Sequence, residues 1–429
     1  MSGQALGRAK IRDYFDMFDL ESYCVVRDLE RDSKGGNVEI SVRRYIQRYA
    51  LNTTLTLCYG IRMDSVYDSM LREILEVGSA ISLLRSASEN YQDYVPILRY
   101  LPNNEKYRRG KDLRDRRDKY LNALLDQVRE MIRKGTDKPC ISAAILKNEE
   151  TKLTGVEVSS ICLSLVSGGF ETIPGTLTSC IGSLSTPEGQ VFQEKAYQDI
   201  KRHYPDVRDA WRNSFQDEKV PYVSAIIKEA ARYYTVSAMS LPRKTVTEVD
   251  WDGAKIPAKT MILINAQAAN HGNVTPLRPS SQMTQGHIDV DHFGPTASTF
   301  NPERWLSSDG SIDAASEKTS SGIQHFSFGA GSRACSGQII ASRLLYTALV
   351  RIICSYRIVA SETQPPNTDY VDYNQFKSAL VAIPRDFMVR LVPRDGMVGG
   401  SEEGILRECL EEARRRTEGY YKEEEGVAV

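Results

Sequence analysis

The chain has 429 residues, 41% of them hydrophobic and 26% charged, with a formal net charge of −1. That is ample apolar material for a large core, and a charge balance too neutral for a nucleic-acid-binding protein. Eight scattered cysteines without a C-x-x-C pair suit a reducing compartment and one special thiol rather than a disulfide framework.

Along the chain, residues 11–31 have a helical pattern. Residues 43–59 read as a buried helix stopped by Gly60, and residues 66–84 as another; Pro96 and Pro102 break the segment that follows. A long charged helix is predicted over 106–133, with Leu113, Tyr120, Leu124, Val128 and Ile132 on one face. Its basic run from Lys106 to Lys119 is laced with Asp112, Asp115 and Asp118, so it reads as a solvated face rather than a contact for an anionic membrane. Thr154-Gly-Val-Glu157 is a capping box. The helix it opens is apolar almost all round and is expected to cross the core. Ser185-Thr-Pro-Glu188 stops one helix and starts the next, and 220–234 forms a further one. Residues 243–265 read as a β-hairpin turning at Asp252-Gly253, and 376–392 as short strands.

The pattern as a whole is mainly α with small β-sheets (α+β). No Pro/Gly/Ser linker divides it, so one domain is expected over 1–395, with a polar candidate insertion at 272–290. Residues 396–429 are expected to be a charged helical tail, amphipathic over 402–422 and a surface feature or appendage. No uninterrupted apolar run of about 18 residues occurs, so neither a transmembrane anchor nor a signal peptide is expected, and the chain by itself reads as soluble and cytoplasmic.

The most informative segment is Phe328-Gly-Ala-Gly-Ser-Arg-Ala-Cys-Ser-Gly337. It presents Cys335 on a glycine loop that opens into an apolar helical run from Ser336. Gly329, Gly331 and Gly337 permit close approaches and unusual backbone angles. A thiol at a helix N-terminus meets free N–H groups that favour its anion. Such a cysteine is a nucleophile or a metal ligand.

The ten residues resemble the F-x-x-G-x-R-x-C-x-G haem-ligand loop of the cytochromes P450. Glu229-Ala-Ala-Arg232 is similar to that family's E-x-x-R, Pro302-Glu-Arg-Trp305 to its P-E-R-F/W, and Gly168-Gly-Phe-Glu-Thr172 to its A/G-G-x-D/E-T, all in the family's order. The resemblance implies haem b held by Cys335 as axial iron ligand. It implies Arg333 and Arg243 on the haem propionates, and Phe328, Gly331 and Gly337 shaping the cofactor's seat. Glu171 and Thr172 would be an acid–alcohol pair delivering the protons that O–O cleavage needs. Glu229, Arg232 and Arg304 would form a structural triad locking the cysteine loop. Ile173 and Pro174 depart from the family pattern and imply a kink. Substrate contacts are expected from Ser164, Leu165, residues 236–241 and the surroundings of Ala379.

The implied activity is monooxygenation: O2 supplies one oxygen atom to a small organic substrate, and NADPH supplies electrons through a cytochrome P450 reductase. The endoplasmic reticulum membrane, at its cytosolic face, is the family's expected location. Stretches 45–62, 168–190 and 232–243 resemble filamentous-fungal members that hydroxylate phenylacetate or hydroxyphenylacetate. The family's early W-x-x-x-R is absent, since the first tryptophan is Trp211, and the anchor, first helices and first sheet strands are expected to be missing. A truncated, non-catalytic remnant is therefore the alternative; oxygen-independent isomerase or dehydratase chemistry is disfavoured by Glu171-Thr172.

Overall fold

The computed structural model describes residues 7–85, 95, 97, 104–148, 153–271, 293, 296–313, 325–394 and 404–419. The candidate insertion at 272–290 lies outside them, as do Pro96 and Pro102.

The helices are α1 (Phe15–Ser33), α2 (Arg43–Tyr59), α3 (Ser69–Leu84), α4 (Asn104–Lys134), α5 (Ile141–Lys147), α6 (Gly155–Gly169), α7 (Thr172–Ser185), α8 (Pro187–His203), α9 (Val207–Asn213), α10 (Pro221–Tyr234), α11 (Ala266–Asn270), α12 (Gln338–Ser355) and α13 (Ile405–Thr417). Antiparallel pairs join β1 (Arg243–Lys244) to β4 (Met261–Ile262), β2 (Val249–Trp251) to β3 (Ala254–Ile256), and β5 (Tyr356–Ala360) to β6 (Val389–Pro393). This is the expected mainly helical α+β architecture. Of the strands expected over 376–392, only the start of β6 forms; the remainder is turns and the isolated bridge Asn374–Pro384.

Local chemistry sets several boundaries. Asp68 caps α3 by accepting from the N–H groups of Met70 and Leu71. The Thr154–Glu157 capping box forms with both reciprocal bonds. The β2–β3 turn is Asp252-Gly253, both with positive φ (46° and 75°), the type I′ requirement. The basic run on α4 is partly paired, Arg116 bridging to Glu73 and Glu76 of α3.

Two apolar cores share α2. One gathers α1, α7, α8, α10, α12 and the β5–β6 ribbon, and the other α3, α4, α5 and α6. The tail corrects the sequence expectation. Leu406, Cys409 and Ala413 form one stripe of α13 that is buried in the first core. Arg416 reaches the buried Asp19 of α1 (2.5 and 2.9 Å), where Arg351 of α12 already binds. Burial pushes the Asp19 carboxyl up, but the two guanidinium groups outweigh it and hold it below its ordinary value. Arg208 and Arg212 of α9 pair with Glu408 and Glu412.

A second correction concerns apolar length. The stretches Gly155–Ser185 and Gln338–Ser355 are long and apolar enough to cross a membrane by length and composition. Serine, threonine and glycine interrupt an all-apolar run yet cost little in such a window. The second is 72% buried within the protein, and the first lines the central cavity.

Candidate active site

α6 and α7 would be one continuous helix but for a break at Phe170-Glu171. Pro174 lacks an N–H for the Phe170 carbonyl, and its ring crowds that carbonyl. The Thr172 hydroxyl donates to the Gly168 carbonyl at 2.8 Å. So the kink implied by Pro174 is present, and the threonine closes it by bonding back into its own helix. A Cβ on Gly168 would meet nothing within 4 Å, because that position faces open space. A Cβ on Gly169 would lie 2.4 Å from Thr54 Cγ2, so Gly169 serves the close packing of α6 on α2 rather than an opening.

The cysteine loop lies across the same space. Gly329 (φ 71°) and Gly331 (φ 62°) adopt the left-handed region. Gly337, at φ −91°, needs no such freedom, and a Cβ there would sit 3.8 Å from Cys335 Sγ. The Cys335 N–H donates to the Phe328 carbonyl (2.8 Å), folding the loop back before α12 begins at Gln338. Backbone N–H groups of Gly337 and Gln338 point at the sulfur. They favour the thiolate, as expected, but the apolar surroundings outweigh them, and the thiol is pushed above its ordinary value.

Cys335, Phe328 and Gly337 share one cavity with Gly168 and Thr172, of about 1180 Å³ of empty space, partly open to solvent. Other walls come from Thr54, Leu57 and Cys58 of α2 and from Ile340, Leu344 and Leu345 of α12. No charged side chain lines it among the described residues. The side chains of Arg333 and Arg243 belong to exposed residues, and no hydrogen bond or ion pair of either is seen among the described residues. An apolar slot with a thiol on one wall and open space beside a glycine on another fits a planar apolar cofactor; neither Arg333 nor Arg243 lines it. Of the expected substrate contacts, Ser164, Leu165, Val236 and Ser237 reach the cavity; Ala379 does not, and Met239 and Leu241 face solvent.

Glu171 does not join Thr172 at the cavity. It points to the other side of the helix break, into a smaller recess with Arg43, Gln47 and Thr178. Burial pushes its carboxyl up to about 7, against the opposing pull of Ser82 and Arg85. Glu171 Oε1, Thr178 Oγ1 and Arg43 Nε are buried without a close hydrogen bond, Arg43 Nε lying 3.7 Å from Asp386; polar atoms converging on one recess suit bridging water.

The expected triad is assembled. Arg232 binds Glu229 through two bonds of 2.7 and 2.9 Å, and Arg304 Nε reaches Glu229 Oε1 at 3.1 Å. Trp305 Nε1 (3.0 Å) and the Asn301 N–H (2.9 Å) complete the carboxylate's shell. Burial pushes Glu229 up, yet Arg232 and Arg304 hold it below its ordinary value. The connection to the cysteine loop runs through Asn270, which belongs to no motif. Arg232 binds its carbonyl (2.8 Å), while its side chain binds Ser327 Oγ (3.0 Å) and the Phe326 N–H (2.7 Å). Ser327 in turn donates to the Ala231 carbonyl at 2.6 Å. The carboxylate thus positions the loop through a neutral amide.

Residues 1–274 and 281–386 match the family model for cytochrome P450. The chain is 41% identical over 419 residues to the phenylacetate 2-hydroxylase of Emericella nidulans, covering 96% of this chain and 73% of that protein. It is 33% identical to the 3-hydroxyphenylacetate 6-hydroxylase of the same organism, covering 92% and 70%. It is 33% identical to the cytochrome P450 monooxygenase CYP3 of Mycosarcoma maydis, covering 92% and 68%. Ordered motifs, a thiol-bearing cavity and these matches converge: the chain belongs to the cytochrome P450 family and is a haem-dependent monooxygenase.

Proposed function

We propose that the protein hydroxylates a small aromatic carboxylic acid of the phenylacetate class, with O2 as oxygen donor and electrons from NADPH through a cytochrome P450 reductase. The observation that carries this reading is that Cys335 and Thr172 line one apolar cavity from opposed elements, in a chain whose relatives bear hydroxylase names. Cys335 would hold the haem iron through its sulfur, Arg333 and Arg243 would hold the propionates, and Phe328 would pack against the cofactor. Haem ligated by thiolate supplies O2 activation.

The chain's own residues then manage protons and water. Glu171, poised near neutrality, takes protons from the recess on its side of the break. Thr172 hands them to the cavity by releasing the Gly168 carbonyl, and the break between α6 and α7 lets a water bridge the two side chains. Apolar walls from α2 and α12 exclude bulk water. Glu229, Arg232 and Arg304 hold the cysteine loop still without touching the reaction. Residues 1–395 act as the catalytic domain, at the cytosolic face of the endoplasmic reticulum membrane, and α13 braces it.

Replacing Cys335 with Ala abolishes the red-shifted Soret band of the reduced CO complex; persistence of that band refutes the ligand assignment. Replacing Thr172 with Ala uncouples NADPH use from product and raises peroxide release.

One observation favours a second reading, a P450-like chain that holds haem weakly or not at all. The strands β1–β4 and their flanks expose Val246 (90%), Trp251 (58%), Leu263 and Ile264 to solvent. A haem titration of the purified chain separates the readings: stoichiometric uptake with a thiolate spectrum supports the enzyme, and no uptake supports the remnant.

A further inference from the structure

Two walls of the cavity are tied together by α11, a helix of five residues. The cysteine loop hangs from its last residue, Asn270, whose Oδ1 accepts from the Phe326 N–H (2.7 Å) and whose Nδ2 donates to Ser327 Oγ (3.0 Å). The same Nδ2 also donates to Thr235 Oγ1 at 2.8 Å. Thr235 is the left-handed residue (φ 40°) that ends α10 and turns the chain into Val236-Ser237, which line the cavity. Gln267, in the first turn of α11, donates its N–H to the Ala238 carbonyl (3.1 Å), and Ala382 donates to the Val236 carbonyl (2.7 Å). From another side α7 presses on Val236: a Cβ on Gly175 would lie 3.0 Å from Val236 Cγ1. So the wall formed by Val236 and Ser237 is held firmly, and α11 sets its distance from the cysteine loop.

Ser237 is the polar group that this wall offers. Other hydroxyls lining the cavity already donate to backbone carbonyls, as those of Thr53, Ser164, Thr176 and Ser327 do. Among the described residues, the Ser237 and Ser336 side chains make no hydrogen bond. Ser336 adjoins Cys335, on the cofactor's wall. Ser237 stands at the rim, between buried Val236 and solvent-facing Met239 and Leu241. A carboxylate deep inside this uncharged cavity would lose its water and find no counter-charge. At the rim it keeps water on one side and accepts from Ser237 on the other, with the aromatic ring directed inward.

We propose that Asn270 is the positioning residue that sets which ring carbon is hydroxylated. Ser237 holds the substrate carboxylate, and Asn270, through Thr235, fixes that hydroxyl relative to the cysteine loop. Because reaction at one ring carbon rather than its neighbour depends on displacements of about 1 Å, the stiffness of this link decides the outcome. The inference rests on the phenylacetate-class reading and adds to it the residues that orient the acid.

The test uses the haem-loaded full chain with phenylacetate and with ethylbenzene, which carries the ring without the carboxylate. Equilibrium dialysis reads binding, and chromatography reads the positional distribution of hydroxylated products. Ser237→Ala should weaken phenylacetate binding about tenfold, as expected for a lost hydrogen bond to a charged group, and leave ethylbenzene binding unchanged. Thr235→Val keeps the side chain's shape and the bonds from Asn270 to the loop, but removes the oxygen that Asn270 meets on the wall. It should raise the share of minor positional products about fivefold with the CO-complex spectrum of the wild type, and Thr235→Ser should restore the wild-type distribution. A purely structural role would lower yield and leave the distribution alone. If Thr235→Val fails to fold, Asn270→Asp carries the same comparison, since it keeps the acceptor for the Phe326 N–H and lacks the donor to Thr235. Equal phenylacetate affinity in Ser237→Ala, or an unchanged distribution in the wall variant, overturns the proposal while the hydroxylation stands. A wild type that binds phenylacetate without turning it over refutes the hydroxylation, and the Ser237 comparison then decides this proposal alone. No phenylacetate binding by the wild type overturns both.

Discussion

Replacing Glu171 with Gln tests the proton-delivery reading through stability, without any turnover. The folded protein holds this carboxyl at about 7 against an ordinary 4.5, mainly through burial. The folded state therefore binds more protons than the unfolded one between those values. Stability due to this group is complete below about pH 4.5 and is lost as pH rises through 7. The difference of about 2.5 units corresponds to about 3 kcal/mol at 1.36 kcal/mol per unit. Gln has the same shape and no charge. The stability of E171Q relative to wild type should thus climb by about 3 kcal/mol between pH 4.5 and pH 8.5. Urea midpoints of both proteins across that range measure it. A constant difference across pH refutes the argument that the site stores a strained carboxylate. In the loaded enzyme the same variant should lose coupling, since a neutral amide neither takes nor gives the proton.

The two neighbouring glycines should separate cleanly. Gly169→Ala forces a Cβ onto Thr54 and should cost about 1–3 kcal/mol, recovered in part by Thr54→Ser. Gly168→Ala meets open space and should change stability by less than about 0.5 kcal/mol while altering coupling; equal thermal shifts in the two would contradict the packing described. Glu229→Gln leaves two buried guanidinium groups short of their counter-charge and should destabilise by about 3–5 kcal/mol, with haem loss on gel filtration; normal haem retention would remove the triad's structural role. Arg416→Ala should cost about 1.5–3 kcal/mol, read from the urea midpoint; no change would return α13 to the status of an appendage.

Much of the architecture is legible because local rules decide it. Residues 43–59, the Thr154 cap and the Asp252-Gly253 turn are fixed by periodicity and capping chemistry within a few residues of chain, and the structure follows them. The cavity's principal wall residues are legible for another reason: Cys335 and Thr172 sit in motifs whose spacing matches a known family. What the sequence hides is direction and distant partnership. Glu171 and Thr172 are adjacent in sequence, yet successive residues of a helix point about 100° apart, and Glu171 sits in the break while Thr172 begins α7, so they open onto different cavities. Asn270 stands in no motif, because its value comes from touching two segments remote in sequence. The tail's charges invite a solvated reading, whereas three spaced residues, Leu406, Cys409 and Ala413, suffice to bury one face.

That burial has a consequence for biosynthesis. The two cationic partners of Asp19 lie 332 and 397 residues downstream of it. A nascent chain emerging from the ribosome cannot neutralise this carboxylate within its core until the final helix has been translated. The core around Asp19 is therefore completed only when α13 docks, and chains stalled before residue 416 should leave this carboxylate with Arg351 as its remaining cationic partner.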